Sequence, residues 1–239
     1  MPQLILVRHG QSEWNLVKKF TGWVDVDLTG QGKLEACKSG EFIKQLKINV
    51  DYFFSSYQLR SVNTLKLIQD SLRNKKQPIK AWQLNERHYG SLTGLNKEET
   101  KKKIGDEQFK KYRRSWDIPP PPIPEDSKYL SNFSPLNTSI PIGMTPFTES
   151  LKNTCERVIP FYDKEIKKDL SQEKNILISA HGNSLRALCK FLFKISDEKI
   201  NKLEIPTGNP LVVEFDNKLN IKEYFYLDET RAKSIIFNQ

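Results

Sequence analysis

With 239 residues, 37% of them hydrophobic and 28% charged, the chain can bury a full-sized core as one large domain or two small ones. Its net charge of +9 suits an anionic partner without naming one, because much of the excess is lysine in scattered runs such as Lys101-Lys102-Lys103 and Lys167-Lys168 that also read as solvated surface. No stretch approaches the length of a spanning helix and no basic-then-apolar leader opens the sequence, so the expectation is a soluble cytoplasmic protein with no membrane partner.

The first element is the apolar run Leu4-Ile5-Leu6-Val7, which fits a strand buried on both faces. It stops at Arg8-His9-Gly10, past the strand end, where open α/β sheets keep their ligands. Read alone, that triplet fits either a polar turn with a satisfied histidine or a site where an imidazole attacks phosphorus beside a neutralising arginine. Thr29 then caps a helix running to about Leu46. Residues 51–56 read as a second strand, and Val62, Leu65, Ile68 and Leu72 recur at helical spacing, with Ser56 and Arg60 at that helix's entrance. A third strand over residues 79–82 leads into Leu84-Asn85-Glu86-Arg87-His88-Tyr89-Gly90.

Residues 96–116 are highly charged and helix-forming, and they include Arg113-Arg114. Residues 119–146 hold most of the prolines and read as a surface excursion. Leu151, Cys155, Val158, Tyr162 and Ile166 mark an amphipathic helix kinked by Pro160. Residues 175–180 form a second strongly apolar strand that also ends at a histidine, in His181-Gly182-Asn183-Ser184. A helix over residues 185–193 would aim its first N–H groups beside His181. Two strands, residues 210–215 and 221–226, close the pattern. The alternation predicts an α/β fold with a mostly parallel central sheet and helices on both faces, as one domain over residues 1–239, with about 92–147 as a helical and proline-rich insertion or lid.

Two buried strands that each end in His-Gly would set two imidazoles side by side if the strands are neighbours. The residues 4–15 and Phe20-Thr21-Gly22-Trp23, with Arg60, Glu86-Arg87-His88-Tyr89-Gly90 and His181-Gly182-Asn183-Ser184, resemble the histidine phosphatase superfamily, and the match extends to Gly105-Asp106-Glu107-Gln108, Arg113-Arg114 and Ile205-Pro206-Thr207-Gly208. Within it the chain is similar, essentially end to end, to the cofactor-dependent phosphoglycerate mutases. The resemblance and the chemistry assign the same roles. His9 would be the nucleophile, its other ring nitrogen donating to a backbone carbonyl that fixes the tautomer. His181, Arg8 and Arg60 would surround the phosphoryl oxygens, and Glu86 would be the general acid and base.

The resemblance further implies that Tyr89, Lys97, Arg113 and Arg114 bind the substrate carboxylate and second phosphate, and that Ser12, Asn15, Thr21, Gly22, Gly182 and Asn183 line the phosphate pocket. It implies 2,3-bisphosphoglycerate as primer, no metal, and a homodimer or homotetramer. Cys37, Cys155 and Cys189 agree with the lack of a metal: they are odd in number, far apart, and read as small core residues in a reducing compartment. His88 reads as structural, while Arg87 is open between packing, a salt bridge and ligand contact. Gln11 stands where relatives commonly have Glu, and the residues after Ile235-Ile236-Phe237 are fewer than the basic tail of some relatives, which puts the balance of mutase and phosphatase activity in question.

The reaction implied is interconversion of 3-phosphoglycerate and 2-phosphoglycerate through a phosphohistidine. A phosphatase or a bisphosphoglycerate mutase would use the same residues. A basic nucleic-acid-binding module is the remaining class; its lysines follow no recognition motif, and no nucleic-acid partner is expected.

Overall fold

The computed structural model describes residues 1–130 and 140–232. Among the described residues six strands form one sheet: β1 (Gln3–Arg8), β2 (Tyr52–Ser55), β3 (Ile79–Lys80), β4 (Ile176–Ala180), β5 (Leu211–Phe215) and β6 (Ile221–Tyr226), in the order β3-β2-β4-β1-β5-β6. The four strands β3, β2, β4 and β1 run parallel, while β5 lies antiparallel to β1 and β6 antiparallel to β5. The sheet thus takes strands from both sides of the 92–147 insertion, as the alternating pattern predicts.

Alternation along β1 explains the layers. Leu4 and Leu6 face one side, joining Ile176 and Ile178 in a core completed by α6 (Leu151–Phe161) and α8 (Gly182–Leu192). Ile5 and Val7 face the other, where Leu177 and Val212 meet α2 (Gly30–Gln45) and α3 (Leu59–Ser71). Leu4, Ile5, Leu6 and Val7 are fully buried, which is why that run has no polar member. Thr29 caps α2 as expected, its hydroxyl accepting the Gly32 N–H at 3.0 Å.

One expectation about local structure needs correction and two gain detail. The third strand ends at Lys80 because its neighbour β2 ends at Ser55; after the Ala81 N–H donates to the Ser55 carbonyl, residues Trp82–Leu84 turn as a 3₁₀ helix. The charged stretch is two helices, α4 (Lys97–Ile104) and α5 (Asp106–Arg114), which meet at Gly105, whose φ of +80° no continuous helix accommodates. Pro160 lies inside α6, and the irregularity it introduces takes the form of a π turn at Tyr162–Ile166 before α7 (Lys167–Ser171). Cys155 and Cys189 are buried as read, but Cys37 on α2 is only partly so.

The described residues of the 119–146 excursion carry no helix or strand. Two bonds tie down their start: the Ser91 N–H donates to the Pro121 carbonyl at 2.8 Å and the Thr148 hydroxyl to that of Pro120 at 2.7 Å. Ile123 and Ile140 pack there with Trp23, Val24 and Val26. The remainder of the excursion and the Ile235-Ile236-Phe237 tail fall outside the described residues. Among the described residues no helix is long and apolar enough to cross a membrane.

Candidate active site

Parallel pairing of β1 with β4 sets Arg8 opposite Ala180, so the next residue of each strand emerges at the same sheet edge. Those residues are His9 and His181. Their ring centroids lie 5.0 Å apart, tilted by 59°, and the His9 N–H donates to the Ala180 carbonyl at 3.0 Å. The Gly10 carbonyl, which can only accept, lies 2.7 Å from His9 Nδ1; Nδ1 therefore carries the proton and Nε2 keeps its lone pair. The loop is fixed from below by Thr64, whose hydroxyl accepts the Gly10 N–H at 3.1 Å. It also lies so close to the first turn of α2 that a methyl on Gly10 would sit 2.1 Å from the Gly32 carbonyl oxygen.

Both imidazoles are held neutral. Burial drives the His9 pKa well below 6.5, Arg60 and Arg8 push it further, and the Gly10 carbonyl opposes them only in part. Burial does the same to His181, helped by Arg60 and His9. His181 Nε2 is 2.7 Å from the Ser56 hydroxyl, which also accepts the Gln58 N–H.

Arg60 is placed differently from the expected clamp. It is buried, and its Nη1 and Nη2 donate to the carbonyls of Val24 and Gly22 at 3.0 and 2.9 Å. Its charge reaches both histidines, while these N–H groups hold the 21–24 loop that includes Thr21 and Gly22. Burial lowers its own pKa to about 10. Arg8 lines the open pocket, with Nη1 donating to the Ile205 carbonyl at 2.8 Å.

That pocket, about 260 Å³, is walled by eight residues from the sequence reading: Arg8, Glu86, Tyr89, Lys97, Arg113, Arg114, Gly182 and Asn183. The buried Glu86 is held through Oε1, which accepts the N–H groups of Arg87 at 2.8 Å and Asn183 at 3.1 Å. Neither bond uses Oε2. The Asn183 N–H belongs to the first turn of α8, whose positive end favours the carboxylate. Asn183 Nδ2 donates to the Tyr89 hydroxyl at 3.0 Å. Burial raises the Tyr89 pKa, but Arg87, Lys97 and Arg113 outweigh it, so the net shift is downward.

Other predicted positions have additional structural work. Ser12 and Asn15 form a reciprocal cap at the start of α1 (Glu13–Leu16), and Asn15 lines a neighbouring basic recess with Lys18, Lys97 and Lys110. Arg87 is fully buried, stacks 4.6 Å from the Tyr89 ring and donates to the carbonyls of Tyr112 and Arg113, tying α5 to the pocket. His88 is buried, accepts the Gly90 N–H at Nδ1, and is pushed down to about pKa 3 by burial and Arg157.

Four pocket or support residues were missed by sequence reasoning. Arg186 lines the pocket and donates to Asn183 Oδ1 at 2.9 Å; nothing distinguishes it in sequence from any charged helix residue. Glu204 faces Arg114 across the mouth at 2.7 Å, next to the matched Ile205-Pro206 motif that could have drawn attention to it. Ser56 and Gln58, noted only as a helix entrance or not at all, hold His181 and Glu86: the Glu86 N–H donates to Gln58 Oε1 at 2.8 Å. A small pocket lined by four arginines, one lysine and two carboxylates, with two neutral imidazoles next in sequence to its Arg8 and Gly182, suits a small molecule with several anionic groups.

Comparison with known proteins agrees. Residues 4–225 match the family model of the histidine phosphatase superfamily (branch 1). The chain is 63% identical to the 2,3-bisphosphoglycerate-dependent phosphoglycerate mutase of Pelagibacter ubique, covering 99% of each chain. It is 50% identical to the protein of the same name from Sphingopyxis alaskensis, over 96% of this chain and 100% of that one. Among solved structures, a mycobacterial glucosyl-3-phosphoglycerate phosphatase shares the fold with a TM-score of 0.68 at 17% identity, over 95% of this chain and 97% of that one. The YhfR protein of Bacillus stearothermophilus does so with a TM-score of 0.69 at 17% identity, over 92% and 94%. The chain belongs to the histidine phosphatase superfamily and, within it, to the family of the 2,3-bisphosphoglycerate-dependent phosphoglycerate mutases.

Proposed function

We propose that this chain interconverts 3-phosphoglycerate and 2-phosphoglycerate by way of a phosphohistidine at His9. The observation that carries the reading is the pair of neutral imidazoles, the Nδ1-protonated His9 and His181, whose ring centroids lie 5.0 Å apart and whose chain neighbours Arg8 and Gly182 line a strongly cationic pocket. As part of the same proposal, the protein works in the cytoplasm as a homodimer or homotetramer.

2,3-Bisphosphoglycerate, when bound, supplies the phosphoryl group that primes His9. The residues present fit it: Lys97, Arg113 and Arg114 would hold its carboxylate and one phosphate, with Arg8 toward the other. His9 Nε2 attacks phosphorus and forms an N–P bond as the P–O bond to the leaving alkoxide breaks. Glu86 Oε2 gives that oxygen a proton; in the return step it takes the proton from the attacking hydroxyl, and the phosphoryl group leaves His9 for the substrate. Arg8 and His181, with the buried charge of Arg60 behind them, stabilise the charge on the transferring oxygens, which is most of what phosphoryl transfer requires. Ser12, Asn15, Thr21, Gly22, Gly182 and Asn183 shape the phosphate pocket in this reading.

The test is labelling with 2,3-bisphosphoglycerate together with product analysis on 3-phosphoglycerate. An acid-labile phosphoenzyme in the natural chain, absent from His9→Ala, and primer-dependent formation of 2-phosphoglycerate are expected. Label retained by His9→Ala would remove His9 from its role, and release of inorganic phosphate in place of 2-phosphoglycerate would make the chain a phosphatase.

A further inference from the structure

Arg157 stands on α6, outside the residues that wall the pocket, yet all five of its N–H bonds have an acceptor. Nε donates to Glu149 Oε1 at 2.7 Å, and Nη2 donates to Glu149 Oε2 and to the Glu86 carbonyl, both at 3.0 Å. Nη1 donates to the carbonyls of Gln83 at 2.5 Å and Asn85 at 3.0 Å. One planar cation therefore grips three carbonyls of the segment that delivers Glu86.

Glu149 extends the grip. Its Oε2 accepts the His88 N–H at 2.8 Å and its own N–H donates to the His88 carbonyl at 3.0 Å. Trp23 Nε1 reaches the Glu86 carbonyl at 2.6 Å, so the oxygen takes two donors. Side-chain exposure is 7% for Arg157 and 4% for Glu149, which makes this a buried pair that water does not replace when a partner is lost. A pair kept only for packing would need one carboxylate opposite one guanidinium. Here three of the five donors go to main-chain oxygens of a single loop.

We infer that Arg157, neutralised by Glu149, is a positioning residue that sets where the Glu86 carboxylate stands relative to the reacting oxygens. The inference rests on the proposed role of Glu86 as proton carrier. Arg157 touches no substrate; it acts through the main chain of residues 83–86, and the two N–H bonds to Oε1 then leave Oε2 aimed for proton transfer. Lysine in its place keeps the charge but offers a single donor centre in place of the fork.

A double-mutant cycle on the full-length chain tests this, using Arg157→Lys, Glu86→Gln and the two combined. Arg157→Lys is expected to lower kcat by about tenfold or more through misplacement of Glu86, with KM within about twofold because the pocket cations are untouched. In the Glu86→Gln background, where no proton carrier remains to be placed, the same substitution should change kcat less than about twofold. Equal losses in both backgrounds, a KM that moves with kcat, or an unaltered kcat in the single variant would each overturn the inference. Should Arg157→Lys not fold, Glu149→Gln, which removes the counter-charge but keeps an acceptor, is expected to give the same pattern. A natural chain that takes no label on His9 would defeat the proposed function instead, an outcome distinct from all of these.

Discussion

His9 and His181, far apart in the sequence, stand with ring centroids 5.0 Å apart because the strands before them pair in register, Arg8 to Ala180. Strand pairing supplies the juxtaposition, and burial then fixes the protonation state. Two imidazoles and two guanidiniums in so small a volume are compatible only if the imidazoles are neutral, which is the form a nitrogen nucleophile needs.

Arg60 is where charge and shape can be separated. Arg60→Lys keeps a cation near His9 but cannot bond the Gly22 and Val24 carbonyls together, so the rate should fall roughly 100-fold with the acid limb of kcat/KM unmoved. Arg60→Met also removes the charge that helps hold the His9 pKa down, so a protonated, unreactive His9 should appear at higher pH and the acid limb should move upward. Profiles of kcat/KM against pH for both variants check the pair.

Gly182 shows how a ligand space is kept. A methyl on it would lie 3.5 Å from Arg8 Nε and 3.8 Å from Glu86 Oε2, ordinary contacts that nothing need move to accept. Gly182→Ala should therefore leave the melting temperature unchanged or slightly raised, since Ala favours a helix by about 1 kcal/mol over Gly. The methyl would nevertheless occupy the floor between the cation and the carboxylate. We expect kcat/KM to fall by at least about tenfold, roughly the effect of 1–2 kcal/mol lost from the transition state; melting and steady-state assays on the same sample decide it.

The parts of this site that were legible in sequence are those with one-dimensional signals. Leu4-Ile5-Leu6-Val7 and residues 175–180 announce buried strands by continuous apolarity, and the abrupt change to Arg8-His9-Gly10 and His181-Gly182 marks their ligand ends. Helix α2 was readable from Thr29 and its spacing. Arg157, Arg186 and Gln58 were not, because a charged or amide residue on an amphipathic helix looks the same whether it meets solvent or a row of buried carbonyls. The break at Gly105 and the early end of β3 depend on φ and on where a partner strand stops, which residue order states only weakly.

His88 makes a pH-dependent contribution whose direction follows from burial. The unfolded chain binds a proton on this ring near pH 6.5, whereas the folded chain does so only near pH 3, so acid favours the unfolded state. The stability it contributes is complete above 6.5 and is lost as pH falls toward 3. Between pH 7.5 and pH 5 the loss is about 2 kcal/mol. His88→Asn, which keeps an acceptor for the Gly90 N–H, should flatten urea-unfolding free energies over that range by about this amount. His9 and His181 act with the same sign.

Glu204 is a carboxylate on the wall of the pocket, where an incoming anion meets its repulsion. Its carboxylate lies 2.7 Å from Arg114 Nη2, at 57% and 25% side-chain exposure, so in the ligand-free chain it occupies a cation assigned here to substrate. Binding must exchange that partner for a ligand oxygen, and an exposed pair of this kind is worth about 0.2–1 kcal/mol. Glu204→Gln should thus lower KM for 3-phosphoglycerate by roughly 1.5- to 5-fold while leaving kcat in place. The advantage should shrink as salt rises from about 0.01 to 0.15 M, because screening weakens both the lost pair and the repulsion it imposed. A KM that is the same for both chains at low salt would mean that Glu204 yields Arg114 without cost, and that water already separates the two in solution.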